Sequence, residues 1–196
     1  MVLVLLVVGG YVVGSIPFAF LLARVWSGVD IRRAGSGNVG AANVARTSGT
    51  RIALGAAVLD AAKGAAAVLV ADRVAGGTFA PAVAGLAAIL GHVYPVWLGF
   101  RGGKGVATSC GVFGILAPMA TAIAAVLFVI AVWYSRYVSV GSVLASLALG
   151  PLTYATRVPP ATVLAAVATS AIVLHRHRSN LARLQSGTER RLGQRA

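Results

Sequence analysis

The chain has 196 residues, of which 58% are hydrophobic and only 11% charged; a soluble domain carries roughly a quarter charged residues, so the composition argues against one and points to a bundle of transmembrane helices. The formal net charge is +13, but the cations sit in short loops between apolar runs, which fits cytoplasmic loops rich in Lys and Arg and fits nucleic-acid binding poorly. Cys110 is the single cysteine, which leaves no internal disulfide and no cysteine-based metal cluster.

In chain order, apolar spans are expected at about residues 2–25, 52–74, 79–98, 138–155 and 161–174. The first begins at Met1 without a basic n-region or a small-residue cleavage site, and is expected to be a retained helix. Residues 106–134 are also apolar, and they read either as one long tilted helix or as two short ones broken near Pro118, since a span needs about 20 residues. Charge decides between them. With two helices the chain has seven spans. Arg32, Arg33, Arg46, Arg101, Lys104, Arg136 and the tail arginines 176, 178, 183, 190 and 191 then share one side. Only Arg73 and Arg157 face the other. The expected fold is therefore an all-α, polytopic membrane bundle of seven helices, one domain over residues 1–196, with the N-terminus outside and the C-terminus cytoplasmic. That arrangement brings two glycine-rich loops, the turn over residues 136–142 and the polar tail to one face.

Gly35-Ser36-Gly37-Asn38-Val39-Gly40 formally matches the dinucleotide fingerprint. A charged loop precedes it and a membrane helix follows, instead of the strand and βαβ unit the fingerprint requires. The reading that remains favoured is an anion-binding loop, with Ser36, Asn38, Asn43 and Arg46 as clustered donors. Gly102-Gly103-Lys104-Gly105 is not a nucleotide-binding P-loop: Leu98 stands five before Gly103, and Gly105 stands where Ser or Thr belongs. A basic loop that only sets topology explains Arg101 and Lys104 but not three glycines; close backbone approach to a ligand explains both.

The remaining polar residues have bland readings of their own. His92, inside an apolar run, reads as structural. Asp60 and Lys63, three apart in mid-span, read as a buried ion pair in preference to a proton pathway. Ser139 and Ser142 suit a helix start and also donate toward a ligand there. His175, His177, Asn180 and Arg183 lie at the mouth of the last span, where a solvated basic tail is the simpler reading.

Taken in order, these pieces resemble the bacterial acyl-phosphate:glycerol-3-phosphate acyltransferases. The matching residues are Gly14-Ser15-Ile16-Pro17; Ser36-Gly37-Asn38-Val39-Gly40-Ala41-Ala42-Asn43 with Arg46; Leu59-Asp60 with Lys63-Gly64; Gly91-His92 with Pro95; Gly102-Gly103-Lys104-Gly105-Val106-Ala107-Thr108; Arg136-Tyr137 with Ser139 and Ser142; and His177-Arg178 with Asn180, Arg183-Leu184 and Gly187. The departures are small: Ala42 where the family often has Thr, Tyr94 where it often has Phe, and Arg101 where Lys is common. The His-x-x-x-x-Asp motif of other glycerolipid acyltransferases is missing, since Trp97, Asn180 and Ala182 stand five after the three histidines.

The resemblance implies transfer of a fatty acyl group from acyl phosphate to the 1-hydroxyl of glycerol 3-phosphate. The products would be lysophosphatidic acid and inorganic phosphate. It implies no cofactor, no CoA, no metal and no obligate protein partner. The enzyme would sit in the bacterial inner (cell) membrane, with its site on the cytoplasmic face. By resemblance, Lys104, His177 and Asn180 are the catalytic residues. Ser36, Gly37, Asn38, Asn43, Arg46, Gly102, Gly103, Gly105, Ser139 and Ser142 bind substrate. The chemistry suits them, because an acyl phosphate is already activated and needs positioning and charge stabilisation above all. The general base is left open between His177 and a substrate phosphate oxygen. A small transporter for an anionic solute is the competing class, but no repeat is visible and the donors cluster on one face.

Overall fold

In the computed structural model, which describes residues 1–194, the chain forms ten α-helices and no strand among those residues. They are α1 Val2–Gly14, α2 Phe18–Ser27, α3 Ala41–Thr47, α4 Thr50–Ala75, α5 Phe79–Val93, α6 Val106–Leu116, α7 Pro118–Ser135, α8 Val138–Ala155, α9 Pro160–Arg176 and α10 Arg178–Gln185. Five segments are long and apolar enough to cross a bilayer: Val2–Ser27, Thr50–Ala75, Phe79–Leu98, Pro118–Ser135 and Val138–Ala155; Val106–Leu116 and Pro160–Arg176 are shorter apolar helices. The outward faces carry Val4, Leu5, Val129, Ile130 and Trp133, all exposed, as expected where lipid replaces water.

The ambiguous stretch after residue 106 is two helices. Ala117 leaves helical geometry (φ −150°, ψ 65°) and Pro118 opens α7, where its missing N–H costs nothing. The first span differs from expectation. It breaks into α1 and α2 at Ser15-Ile16-Pro17, because Pro17 offers no N–H and disfavours helical geometry at Ile16. The Ile16 carbonyl freed by the break accepts from Lys63 Nζ of α4 at 2.7 Å.

Small residues set the helix contacts. A Cβ on Gly10 of α1 would lie 2.6 Å from the Ala84 carbonyl of α5, and Gly14 is held as tightly against Ala88. Gly111 of α6 abuts Ala61 of α4 in the same way. Such close approach is how helices associate where lipid removes the hydrophobic drive. Below these contacts a core of Val68, Ile89, Val93, Val112, Phe113 and Leu149 joins α4, α5, α6 and α8.

Candidate active site

The loop before α3, the loop between α5 and α6, the α7–α8 turn and the tail meet at one end of the bundle. Arg176 donates to the Gly102 carbonyl at 3.1 Å, Arg46 reaches the Arg190 carbonyl at 3.4 Å, and Leu192 N–H donates to the Arg136 carbonyl at 2.6 Å. Among them lies a cavity of about 810 Å3, within the range usual for small-molecule sites. Its mouth is lined by Ser36, Asn38, Arg46, Lys104, His177 and Asn180, and its far end by Phe113, Ala124, Phe128 and Leu149. Val58, Cys110 and Ala125 also border it and are exposed, so it opens sideways toward the lipid-facing surface between α4, α6 and α7.

The first loop is organised from within. Asn43, in the first turn of α3, is fully buried; its Oδ1 accepts from the Ser36 N–H at 2.9 Å and its Nδ2 donates to the Ile31 and Ala34 carbonyls at 2.9 and 3.1 Å. Asn43 borders the cavity, with its amide bonded to loop backbone. Gly35 and Gly37 take positive φ, which lets the loop turn back over Asn43 and present the Ser36 hydroxyl and the Asn38 amide to the cavity. Arg46, one turn further along α3, is half-buried beside them, and burial lowers its pKa.

The second loop folds back on the end of α5. Gly102 N–H donates to the Val93 carbonyl and Gly103 N–H to the His92 carbonyl, both at 3.1 Å. A Cβ on Gly103 would lie 2.7 Å from the Val39 carbonyl and would strike the His92 ring. Gly102 and Gly103 therefore let backbone approach backbone, and Gly102 also borders the cavity. Gly105, at φ +89°, is the N-cap of α6. The first N–H groups of that helix have no intrahelical partner, and they open at the cavity beside Lys104, a ready anion site.

Lys104 points inward and donates to Asn180 Oδ1. Burial lowers its pKa to about 8; the Glu189 carboxylate opposes that shift, and Arg183, Arg46 and Arg176 add to it. Asn180 in turn donates through Nδ2 to Glu189 Oε1 at 2.6 Å. The Ser139 hydroxyl donates to the same oxygen at 3.0 Å, and Arg183 Nε to Oε2 at 2.7 Å. Burial would raise the Glu189 pKa, but those bonds together hold it below the usual range. Ser139 borders the cavity, with its hydroxyl bonded to Glu189. Tyr137 is the N-cap of α8, so neither serine caps it. The Ser142 hydroxyl instead bonds back to the Val138 carbonyl at 2.9 Å at the cavity wall.

His177 marks the break between α9 and α10. Its Nδ1 stands 2.8 Å from the Val173 carbonyl, so Nδ1 carries the proton and Nε2 is the acceptor. Burial, with Lys104 nearby, lowers its pKa to about 4, which keeps the ring neutral. The Asp60–Lys63 pair forms as expected, at 2.7 Å and with both side chains almost fully buried. His92 joins it, with Nδ1 3.4 Å from Asp60 Oδ1. Glu189 and Arg176 are the site residues that the sequence reading does not single out. The available signal was a lone carboxylate in a tail of arginines, one of only four acids in the chain.

Known proteins resemble this chain along nearly its whole length. A family model described as glycerol-3-phosphate acyltransferase matches residues 4–187. A protein of that name from Anaeromyxobacter dehalogenans is 45% identical over 195 residues, covering 96% of each chain. Another from Geobacter sulfurreducens is 46% identical over 181 residues, covering 92% of this chain and 93% of its own. The crystal structure of PlsY (YgiH), an integral membrane glycerol 3-phosphate acyltransferase, in its glycerol 3-phosphate form superposes with a TM-score of 0.93 at 36% identity, covering 98% of this chain and 96% of that one. Its lysophosphatidic acid form gives a TM-score of 0.91. The chain belongs to the glycerol-3-phosphate acyltransferase family.

Proposed function

We propose that this enzyme takes its acyl group from a fatty acyl phosphate, transfers it to the 1-hydroxyl of glycerol 3-phosphate, and releases lysophosphatidic acid and inorganic phosphate for phospholipid synthesis. The observation that carries the reading is the two-ended cavity: a mouth lined by Lys104, Arg46 and the start of α6, and an apolar far end that opens toward lipid. Both proposed substrates are phosphorylated, and one trails a hydrocarbon chain. A related PlsY has a lysophosphatidic acid form, which supports the product.

In this reading the helix pair α1–α2 and helices α4 to α9 give seven crossings, with the N-terminus outside and the mouth of the cavity cytoplasmic. One domain does the whole reaction. Ser36, Gly37, Asn38 and the loop ending at Gly105 hold the acyl phosphate. Arg46, Lys104, Ser142, His177 and Asn180 hold glycerol 3-phosphate. Asn43 and Ser139 act in addition by shaping the first loop and fixing Glu189.

The 1-hydroxyl oxygen attacks the acyl carbonyl carbon, and a tetrahedral oxyanion forms. The bond to the phosphate oxygen then breaks, and phosphate leaves with its electron pair. The hydroxyl proton goes to His177 Nε2 or to an oxygen of the departing phosphate. Lys104 and the α6 N–H groups stabilise the charge that collects on phosphate, and they are fixed before reaction. The Lys104–Asn180 contact and the buried Glu189 carboxylate supply positioning.

Purified protein in lipid, given glycerol 3-phosphate and an acyl phosphate, should form lysophosphatidic acid and free phosphate in equal amounts. Acyl-CoA in place of acyl phosphate should give none. Equal turnover with acyl-CoA would refute the donor assignment, and solute uptake without acyl transfer would refute the reaction.

A further inference from the structure

Three buried ionisable groups lie outside the chemistry just described. Asp60 and Lys63 are on α4 and His92 is on the last turn of α5, and all are at most 8% exposed. A buried charge or polar group in a membrane core is costly unless partnered, and it marks a place where something must be held. The partners here are specific. Lys63 Nζ lies 2.7 Å from Asp60 Oδ1 and donates to the Ile16 carbonyl at the α1–α2 break. The same Asp60 oxygen faces His92 Nδ1 at 3.4 Å. The far edge of that imidazole, Nε2 and Cε1, is where a Cβ on Gly103 would fall, and the His92 carbonyl accepts from the Gly103 N–H. The same Cβ position would also meet the Val39 carbonyl of the first loop, 2.7 Å away. Lys104 follows directly in the chain.

We infer that Asp60 and His92 are positioning residues for the Lys104 loop. Asp60 fixes the tilt of the His92 ring, and that ring is the surface on which Gly103 settles, beside the Val39 carbonyl. Lys63 balances the carboxylate and at the same time ties it to the broken first span. The chain of contacts runs from α4 through the imidazole to the backbone one residue before Lys104. It also touches the loop that presents Ser36 and Asn38. Asp60 and His92 also border the main cavity; the effect assigned to them here runs through the geometry of the loop. The inference rests on the reading that Lys104 contacts a substrate phosphate, but it makes a separate claim about the backbone of residues 101–106.

The test uses the full-length protein in lipid. His92→Ala should speed amide hydrogen exchange across residues 101–106, where the Gly103 N–H bond is now held. It should raise KM for glycerol 3-phosphate or acyl phosphate by between about ten- and a hundredfold, as small misplacements in catalytic sites do. The thermal midpoint should stay close to wild type. His92→Asn, whose amide can sit where Nδ1 stands and donate to Asp60, and His92→Gln, whose amide falls near Nε2 beside Gly103, each restore one half of the contact chain, so each should recover part of the exchange protection and of the rate lost in His92→Ala.

The charge-balanced pair Asp60→Asn with Lys63→Gln should loosen the same segment, and adding His92→Ala to it should cost little more, since all act on one contact chain. Unchanged exchange at 101–106 in His92→Ala would overturn the inference. So would an activity loss that merely follows loss of folded protein, with His92→Asn and His92→Gln both no better than His92→Ala. Faster exchange with unchanged KM for both substrates would uphold the positioning and refute the phosphate role of Lys104.

Discussion

The side-chain oxygen of Asn180 accepts a hydrogen bond from the Lys104 ammonium, across 76 residues of sequence. The bond fastens the tail to the second glycine loop. It also holds a cation whose pKa burial has lowered to about 8. Replacing Lys104 with Ala removes a charge-assisted bond to phosphate, a loss of about 1.5–3 kcal/mol and so at least about tenfold in rate, while the protein still folds and inserts. Steady-state rates against both substrates check this, and near-normal kinetics would leave Lys104 as a topology signal only.

The same residue sets opposite pH trends for activity and stability. In free enzyme Lys104 loses its proton near pH 8, so kcat/KM should fall as pH rises through that value. Its usual value is 10.5. Between the two the unfolded chain binds the extra proton, so this group's contribution makes stability rise with pH from 8 to 10.5. Bound phosphate raises the Lys104 pKa, so kcat at saturation should hold to higher pH than kcat/KM. Rate profiles and thermal midpoints measured over one pH series test both signs.

Glu189 connects to this profile. Its carboxylate is the charge that opposes the depression of Lys104. In Glu189→Gln the alkaline limb of kcat/KM should therefore move below pH 8. The variant also leaves Arg183, Asn180 and Ser139 with a weaker partner, which should cost about 1–3 kcal/mol of stability. Because the Glu189 pKa is lowered in the fold, its contribution is present above the unfolded carboxyl value and is lost as pH falls through the folded one. Wild type should lose more thermal stability on acidification than Glu189→Gln does. An alkaline limb unmoved in the variant would show that Glu189 does not act on Lys104.

How legible was all this beforehand? The break at Pro118 could be read, because proline at a helix start and the lopsided arginines point the same way. So could the Asp60–Lys63 pair, since spacing three puts both on one face. The break at Pro17 was harder to read, because its cost is offset by Lys63, which reaches Ile16 from another helix. Glu189 was hidden for a related reason: its partners come from α8 and α10, and they meet only when the tail folds back along Arg136. The glycines were visible as tight spots, but sequence does not say whether a ligand or a backbone fills the space. At Gly103 it is the His92 ring and the Val39 carbonyl.

The seven-crossing topology has its own test. In a background with Cys110→Ser, single cysteines at Arg33, Arg101, Arg136 and Ser186 should all react with an impermeant thiol reagent from the cytoplasmic side. One at Gly77 should react from outside. All five positions are exposed. Labelling of Ser186→Cys from outside would refute the topology and with it a cytoplasmic site.

The two proposed phosphate subsites can be separated by paired substitutions. Asn38 belongs to the first loop and Asn180 to the tail, and both line the cavity. Asn180→Ala should raise KM for glycerol 3-phosphate more than for acyl phosphate, and should lower kcat through lost positioning of Lys104. Asn38→Ala should do the reverse. His177→Ala then asks about chemistry. The ring is neutral above a pKa of about 4, with Nδ1–H tied to Val173 and Nε2 open. If Nε2 takes the proton, kcat should fall roughly a hundredfold and His177→Gln, which can accept a hydrogen bond but holds no proton, should not restore it. If Nε2 only orients the acceptor, His177→Gln and saturating glycerol 3-phosphate should recover most of the rate, leaving the departing phosphate as the base. Purely KM-type effects of Asn38→Ala and Asn180→Ala, equal on both substrates, would refute the two-subsite assignment while leaving the reaction class standing.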